Sequence, residues 1–296
     1  YLICMTPPHP TDRPRVSLVI PIRNEAGNIG PLIDEIRASL DEAGFSWEIL
    51  VINDGSTDES VYEVESLFAD DSKIHLIHLA DGHGKSAALS RGFASVRGEA
   101  VVMLDGDGQD DPAEIPEMLT RLGMAPDGQR APAAEAELVN GWKTPRLDPW
   151  HKTMPSRVFN LMVSWLTNVS LHDHNCGLKA MRREVAQRLP LATGMHRFIP
   201  VLAASFGSRI VEQPVHHRPR TQGVSKYGVG RFFRGLFDLI SVWLKLQTGR
   251  LGAASRKNSP VDPTAPLRKF MYGLLALIAC SSVLGRIATV TTVDRL

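Results

Sequence analysis

The sequence predicts an α/β fold, a mostly parallel sheet flanked by helices. Two observations carry this. Apolar, β-branched runs alternate with amphipathic segments at strand–helix–strand spacing. The runs themselves hold few polar residues, as strands covered on both faces must.

The elements follow in order. "RVSLVIPI" reads as a first strand. "AGNIGPLIDEIRASLDEAG" places Ile29, Leu32, Ile33, Ile36 and Leu40 at helical spacing, with Gly44 as a stop. "WEILVIND" is the second strand, and "STDESVYEVESLFAD" opens with capping residues and continues as a helix. "KIHLIHLA", "GKSAALSRGFASV" and "EAVVMLD" add two strands around a third helix. Residues Gly123 to Glu137 are rich in Pro, Ala and Gly and read as a surface insertion, before a strand at "LVNGWK". Helices are expected around Met154–Thr167 and Arg183–Leu189, then a strand "SRIVEQPV" and a basic loop.

The predicted organisation is a disordered lead-in at 1–14, the α/β domain at 15–229, an interfacial amphipathic helix at 230–250, a linker at 251–269 and a short hydrophobic membrane-associated tail at 270–296. The lead-in is too short and Pro-rich for a signal peptide. Charge is nearly balanced, 33 basic against 32 acidic residues, which points away from a nucleic-acid partner. Three scattered cysteines, Cys4, Cys176 and Cys280, fit a reducing compartment and exclude a disulfide framework or zinc spacing.

Chemistry concentrates in "AVVMLDGDGQDDP", where Asp105, Asp107, Asp110 and Asp111 crowd behind a buried strand. Such carboxylates repel unless water, a cation or positive side chains compensate. A solvated turn is the plain alternative. A calcium loop fails, because Gln109, Asp110 and Pro116 stand where Asp or Asn, Gly and a bidentate Glu are needed. "GHGKS" lacks the first Gly of a phosphate loop, since Leu79 occupies its place. Gly82-x-Gly84-x-x-Ala87 fits a permissive dinucleotide fingerprint, which keeps an NAD-dependent oxidoreductase open. Asp105 and Asp107, one residue apart, can share a hard cation, Mg²⁺ or Mn²⁺, against a diphosphate.

Taken in order, "VSLVIPIRNEAGNIGPLI", "ILVINDGSTDES", "GKSAALSRGF" and "VVMLDGDGQDDP" resemble the family 2 glycosyltransferases of GT-A fold. "LVNGWKTPR", "PSRVFNLM", "DHNCGLKAMRRE" and "RPRTQGVSKYG" narrow the resemblance to the polyprenyl-phosphate sugar transferases typified by dolichol-phosphate mannose synthase. It covers roughly Arg15 to Arg250. The resemblance implies an enzyme that moves a hexose-type sugar, mannose or glucose, from a nucleotide-diphosphate donor to a dolichyl or undecaprenyl phosphate.

It also implies roles. Pro21, Arg23, Glu25 and Asp54 would line the donor's base and ribose, with Lys85 facing the nucleotide. Asp105, Asp107 and Gln109 match the metal-binding triplet, and Arg157 an Arg near the donor diphosphate. Lys143 stands where the family often has Arg, keeping the charge but losing the fork. Arg220, Ser225 and Lys226 match a lipid-phosphate loop, R-x-x-G-x-S-K. Catalytic roles fall to Asp105, Asp107, Arg157 and Arg220. No catalytic base is required, because a lipid monophosphate with its second pKa near 6 is already largely dianionic at neutral pH.

A lipid acceptor implies a bilayer. Arg231–Leu246 reads as basic where polar and aromatic where apolar. Arg268 and Lys269 before the tail favour a catalytic domain on the cytoplasmic face. Two alternatives complete the set. A processive polysaccharide synthase would carry Gln-x-x-Arg-Trp, which none of the five Trp completes. A non-catalytic nucleotide-sugar binding protein would keep the same motifs.

Overall fold

The computed structural model describes residues 13–249, apart from 80, 81, 128, 145–149 and 220–228. The expected linker and tail, and most of the lead-in, lie outside the described residues. Four βα units open the chain: β1 (Val16–Ile22), α1 (Ile29–Glu42), β2 (Trp47–Asn53), α2 (Ser60–Asp70), β3 (Ile74–His78), α3 (Lys85–Ser95), β4 (Ala100–Met103) and α4 (Ile115–Arg121). Then follow β5 (Leu138–Lys143), α5 (Trp150–Thr167), β6 (Lys179–Arg182), α6 (Arg183–Arg188), α7 (Ile199–Ser205), β7 (Ile210–Val215) and α8 (Val229–Gln247).

The seven strands form one sheet in the order β3-β2-β1-β4-β6-β5-β7. Pairings are parallel except those of β6, which runs against both β4 and β5. The expected strands and helices are present. The alternation of runs did not foretell β6, α4 or α7, and β6 is what makes the sheet mixed.

Both faces of the sheet are covered. Along β1, Val16, Leu18, Ile20 and Ile22 pack with Ile29, Ile33 and Ile36 of α1 on one side. Val19 faces the other side, with Leu89 and Phe93 of α3 and Phe198 just ahead of α7. The period of two along the strand meets the helical period of the covering elements, which is why these runs are apolar nearly throughout. At the amino end of the sheet, buried Glu48 accepts from Ser17 Oγ at 2.6 Å and from Arg97 Nε at 2.6 Å. That network ties the start of β2 to the turn before β4 and leaves the carboxyl edge free for chemistry.

Candidate active site

Parallel strands place their carboxyl ends on one edge, where ligands of open α/β sheets bind. Here the edge carries Asn53 and Asp54 after β2, the acidic turn after β4, Lys143 ending β5 and the residues after β7. Because β6 is reversed, its start reaches the same edge. Lys179 of β6 pairs in register with Met103 of β4 and Asn140 of β5.

Asp105 forms an ion pair with Lys85, the first residue of α3. Asp54 arranges this from a distance. Its carboxylate accepts the backbone N–H of His83 at 2.7 Å and of Gly84 at 3.0 Å, fixing the loop into α3. The next residue, Ser86, is buried and shares a 2.9 Å hydrogen bond with His196 Nδ1. Burial alone would raise the Asp105 carboxyl, but the charge and hydrogen bond of Lys85, then the charge of Lys143, bring it down to about 2. Burial and the nearby charges of Lys85 and Arg197 push His196 down to about 3, so its ring is neutral.

Asp107 is largely buried, and its Oδ1 accepts from Gln109 N at 3.2 Å. Gln109 turns its amide nitrogen toward the segment after β7, donating to the Arg218 carbonyl at 3.2 Å. Asp110 lies buried with Oδ1 3.6 Å from Lys143 Nζ. Burial would lower the Lys143 ammonium, but the charges of Asp110, Asp105 and Asp173 carry it above the ordinary lysine range. Gly177 sits against both acids: a Cβ there would collide with Asp110 Oδ2 and come within 3.1 Å of Asp105 Oδ2.

The remaining expected residues are more dispersed. Arg23 is exposed and lies over Gly82, where a Cβ would stand 2.9 Å from its Nη1. Pro21 and Glu25 are half-buried at the end of β1, and Glu25 accepts from Asn28 at 3.1 Å. Asp58 braces the loop ahead of α2, accepting from Ser60 N and Ala26 N, each at 3.1 Å. Arg157 is exposed on α5. Arg220, Ser225 and Lys226 lie outside the described residues; the segment leading to them is fastened by Arg218 to Glu35 at 2.5 Å and to Asp111 at 2.8 Å. Cys176 is buried, and burial pushes its thiol up to about 12, which removes it as a nucleophile.

Sequence reasoning passed over Asp110, Gly177 and His196 as site residues. Asp110 carried a signal in the density of the acidic turn. Gly177 and His196 come from distant stretches and carried none.

The donor chemistry suits a hard divalent cation. Among the described residues no three His, Cys, Asp or Glu side chains form a ligand group by themselves. Mg²⁺ and Mn²⁺ need only one or two carboxylates when substrate phosphates complete the shell. Asp105 and Asp107 would supply such oxygens, and the ion pair of Lys85 with Asp105 shows that the position favours positive charge.

Comparison with known proteins agrees with this geometry. Over 237 residues the chain is 35% identical to dodecaprenyl-phosphate galacturonate synthase of Rhizobium johnstonii, covering 79% of this chain and 68% of that protein. The crystal structure of glucosyl-3-phosphoglycerate synthase from Mycobacterium tuberculosis, in complex with Mn²⁺, UDP and phosphoglyceric acid, superposes with a TM-score of 0.58 at 20% identity. That match covers 79% of this chain and 78% of the other. A further mycobacterial protein superposes at 0.59, also at 20% identity, covering 79% and 74%. Residues 17–189 match the family described as glycosyl transferase family 2. An acidic turn behind the fourth strand, two lysines converging on it and a GT-A-like sheet thus have one common explanation: the chain belongs to glycosyl transferase family 2 and is a glycosyltransferase.

Proposed function

We propose that this enzyme transfers a hexose-type sugar, with inversion, from a nucleoside diphosphate donor to a polyprenyl phosphate at a membrane surface. The observation that carries the reading is the convergence of Asp105, Asp107, Lys85 and Lys143 on one sheet edge, beside the root of the R-x-x-G-x-S-K loop. The relative's name supports a polyprenyl phosphate acceptor and adds galacturonate to mannose and glucose as candidate sugars.

Asp105 and Asp107 would hold the divalent cation, with Gln109 adding its amide oxygen. Bound there, such a cation neutralises the diphosphate and helps it leave. Lys85 and Lys143 add positive charge around the same oxygens, in a partly buried site where electrostatic stabilisation is strong. Arg220, Ser225 and Lys226 would take the acceptor phosphate through charge-assisted hydrogen bonds. Two anionic reactants are thereby brought together without a proton being removed. Attack from the face opposite the leaving group inverts the anomeric centre through an oxocarbenium-like transition state.

Helices α5 and α8 support contact with lipid. Met154, Val158, Leu161 and Trp165 recur at helical spacing on α5 and are exposed, as are Phe237 and Leu244 on α8, which packs beside it. Arg157 and Arg234 are exposed on the same two helices. Among the described residues no helix is long and apolar enough to cross a membrane.

The test incubates the purified protein and Mn²⁺ with undecaprenyl or dolichyl phosphate and a panel of GDP- and UDP-sugars, including the galacturonate donor. A glycolipid of inverted configuration, lost with EDTA, is expected from one donor. A product of retained configuration, or donor binding without transfer to either lipid, would overturn the reading.

A further inference from the structure

Asp110 stands where four strand ends meet. It follows β4, and its backbone forms an isolated bridge with His217 just after β7. Its carboxylate rests against Gly177 ahead of β6, and its Oδ1 lies 3.6 Å from Lys143 at the end of β5. The residue is 1% exposed, and neither carboxylate oxygen accepts a hydrogen bond among the described residues.

Such a group is expensive to keep. Burial strips its hydration, and an ion pair beyond hydrogen-bond length restores only part of the loss. Replacing both members of a buried ion pair with neutral groups is often harmless or stabilising, so stability does not account for the presence of the pair. Gly177 shows that the approach is built in, because any larger residue would displace Asp110 from its place. At 3.6 Å the carboxylate anchors the Lys143 ammonium electrostatically and leaves its N–H groups to another partner.

We propose that Asp110 is a positioning residue for the donor: it holds Lys143 at the sheet edge so that the ammonium meets the nucleotide's phosphate oxygens. This rests on reading the edge as the donor site.

The test is a double-mutant cycle on the full chain in detergent, with UDP and GDP binding measured calorimetrically in Mn²⁺. Asp110→Asn and Lys143→Met should each weaken the bound nucleotide by about tenfold. The double variant should bind no more weakly than Lys143→Met alone, because Asp110 acts through Lys143. Lys143→Arg, which keeps the charge, should rescue binding to within about threefold of the unaltered chain.

Asp110→Asn alone leaves the Lys143 ammonium unpaired and should melt lower, whereas the double variant, with both charges removed, should melt at or above Asp110→Asn. Mn²⁺ titrated without nucleotide should bind Asp110→Asn and the unaltered chain alike. Additive losses, unchanged nucleotide binding in Asp110→Asn, or a double variant that melts below Asp110→Asn would overturn the proposal. So would loss of Mn²⁺ binding in Asp110→Asn, which would make Asp110 a cation ligand. If the unaltered chain binds neither nucleotide, the donor-site reading falls and the proposal with it. If it binds and the cycle is additive, the proposal alone falls.

Discussion

The charge and hydrogen bond of Lys85, then the charge of Lys143, hold the Asp105 carboxyl down to about 2, so it is negatively charged at neutral pH. Asp105→Asn or Asp107→Asn should cut transfer by about 10²–10³, the scale seen when a preorganised electrostatic contact is removed. Circular dichroism should be unchanged, and the unaltered enzyme stripped by EDTA should lose activity comparably. A second residue-level effect concerns stability. Burial, then the Lys179 charge, pushes His174 down to about 4, and its Nε2 shares a 2.9 Å hydrogen bond with Ser164. A depressed histidine stays neutral in the fold while the unfolded chain takes up a proton below about 6.5. Stability from this group is therefore full at neutral pH and falls as pH drops from about 6.5 toward 4, by up to about 1.4 kcal/mol per pH unit. Melting curves at pH 7 and pH 5 should show a smaller acid loss in His174→Asn than in the unaltered chain. Asp105 and Asp107 were legible because carboxylates that dense, behind an apolar run, demand a partner. His196 was not, because its bond to Ser86 joins segments that only the folded sheet brings together.

Among the elements, α8 joins the edge that carries the candidate site to the exposed apolar surface. Asp238 on its inner face pairs with Arg197 at 3.2 Å, beside the His196 that holds Ser86. Gly194, at φ +79°, packs against the Asp238 carboxylate and tolerates no Cβ there. Phe237, the preceding residue, is 76% exposed. Phe237→Glu combined with Leu244→Glu should sharply reduce co-sedimentation with anionic vesicles while leaving the melting temperature within a degree or so. Equal co-sedimentation would remove these side chains from lipid contact. The long helices were readable from their 3.6-residue period, and the apolar strands from composition. β6 was not readable: "KAMR" has four residues, two of them basic, and its reversed direction follows from pairing with β4 and β5, not from its own pattern.

For the molecule as a whole, the family and the candidate site at the carboxyl edge were legible because several motifs occur in the right order at strand ends. The way the edge is wired was not, since it depends on β6 entering backwards and bringing Gly177 beside Asp105 and Asp110. That reversal also bears on assembly in time. Strands β1 to β4 pair among themselves through neighbours close in sequence, and only the outer edge of β4 waits for a later strand, β6. β5, β6 and β7 complete their ladder only when β7 arrives, and β6 must then dock on the waiting edge of β4. Non-local pairings of this kind close slowly. Pulse-labelled hydrogen exchange during refolding should therefore protect β1 and β2 amides before those of β5 and β7. Until that last docking, the acidic turn has Lys85 but lacks Lys143. An incompletely folded chain thus holds only part of its charge compensation, and if the edge is the donor site, the second lysine reaches it only as the sheet closes.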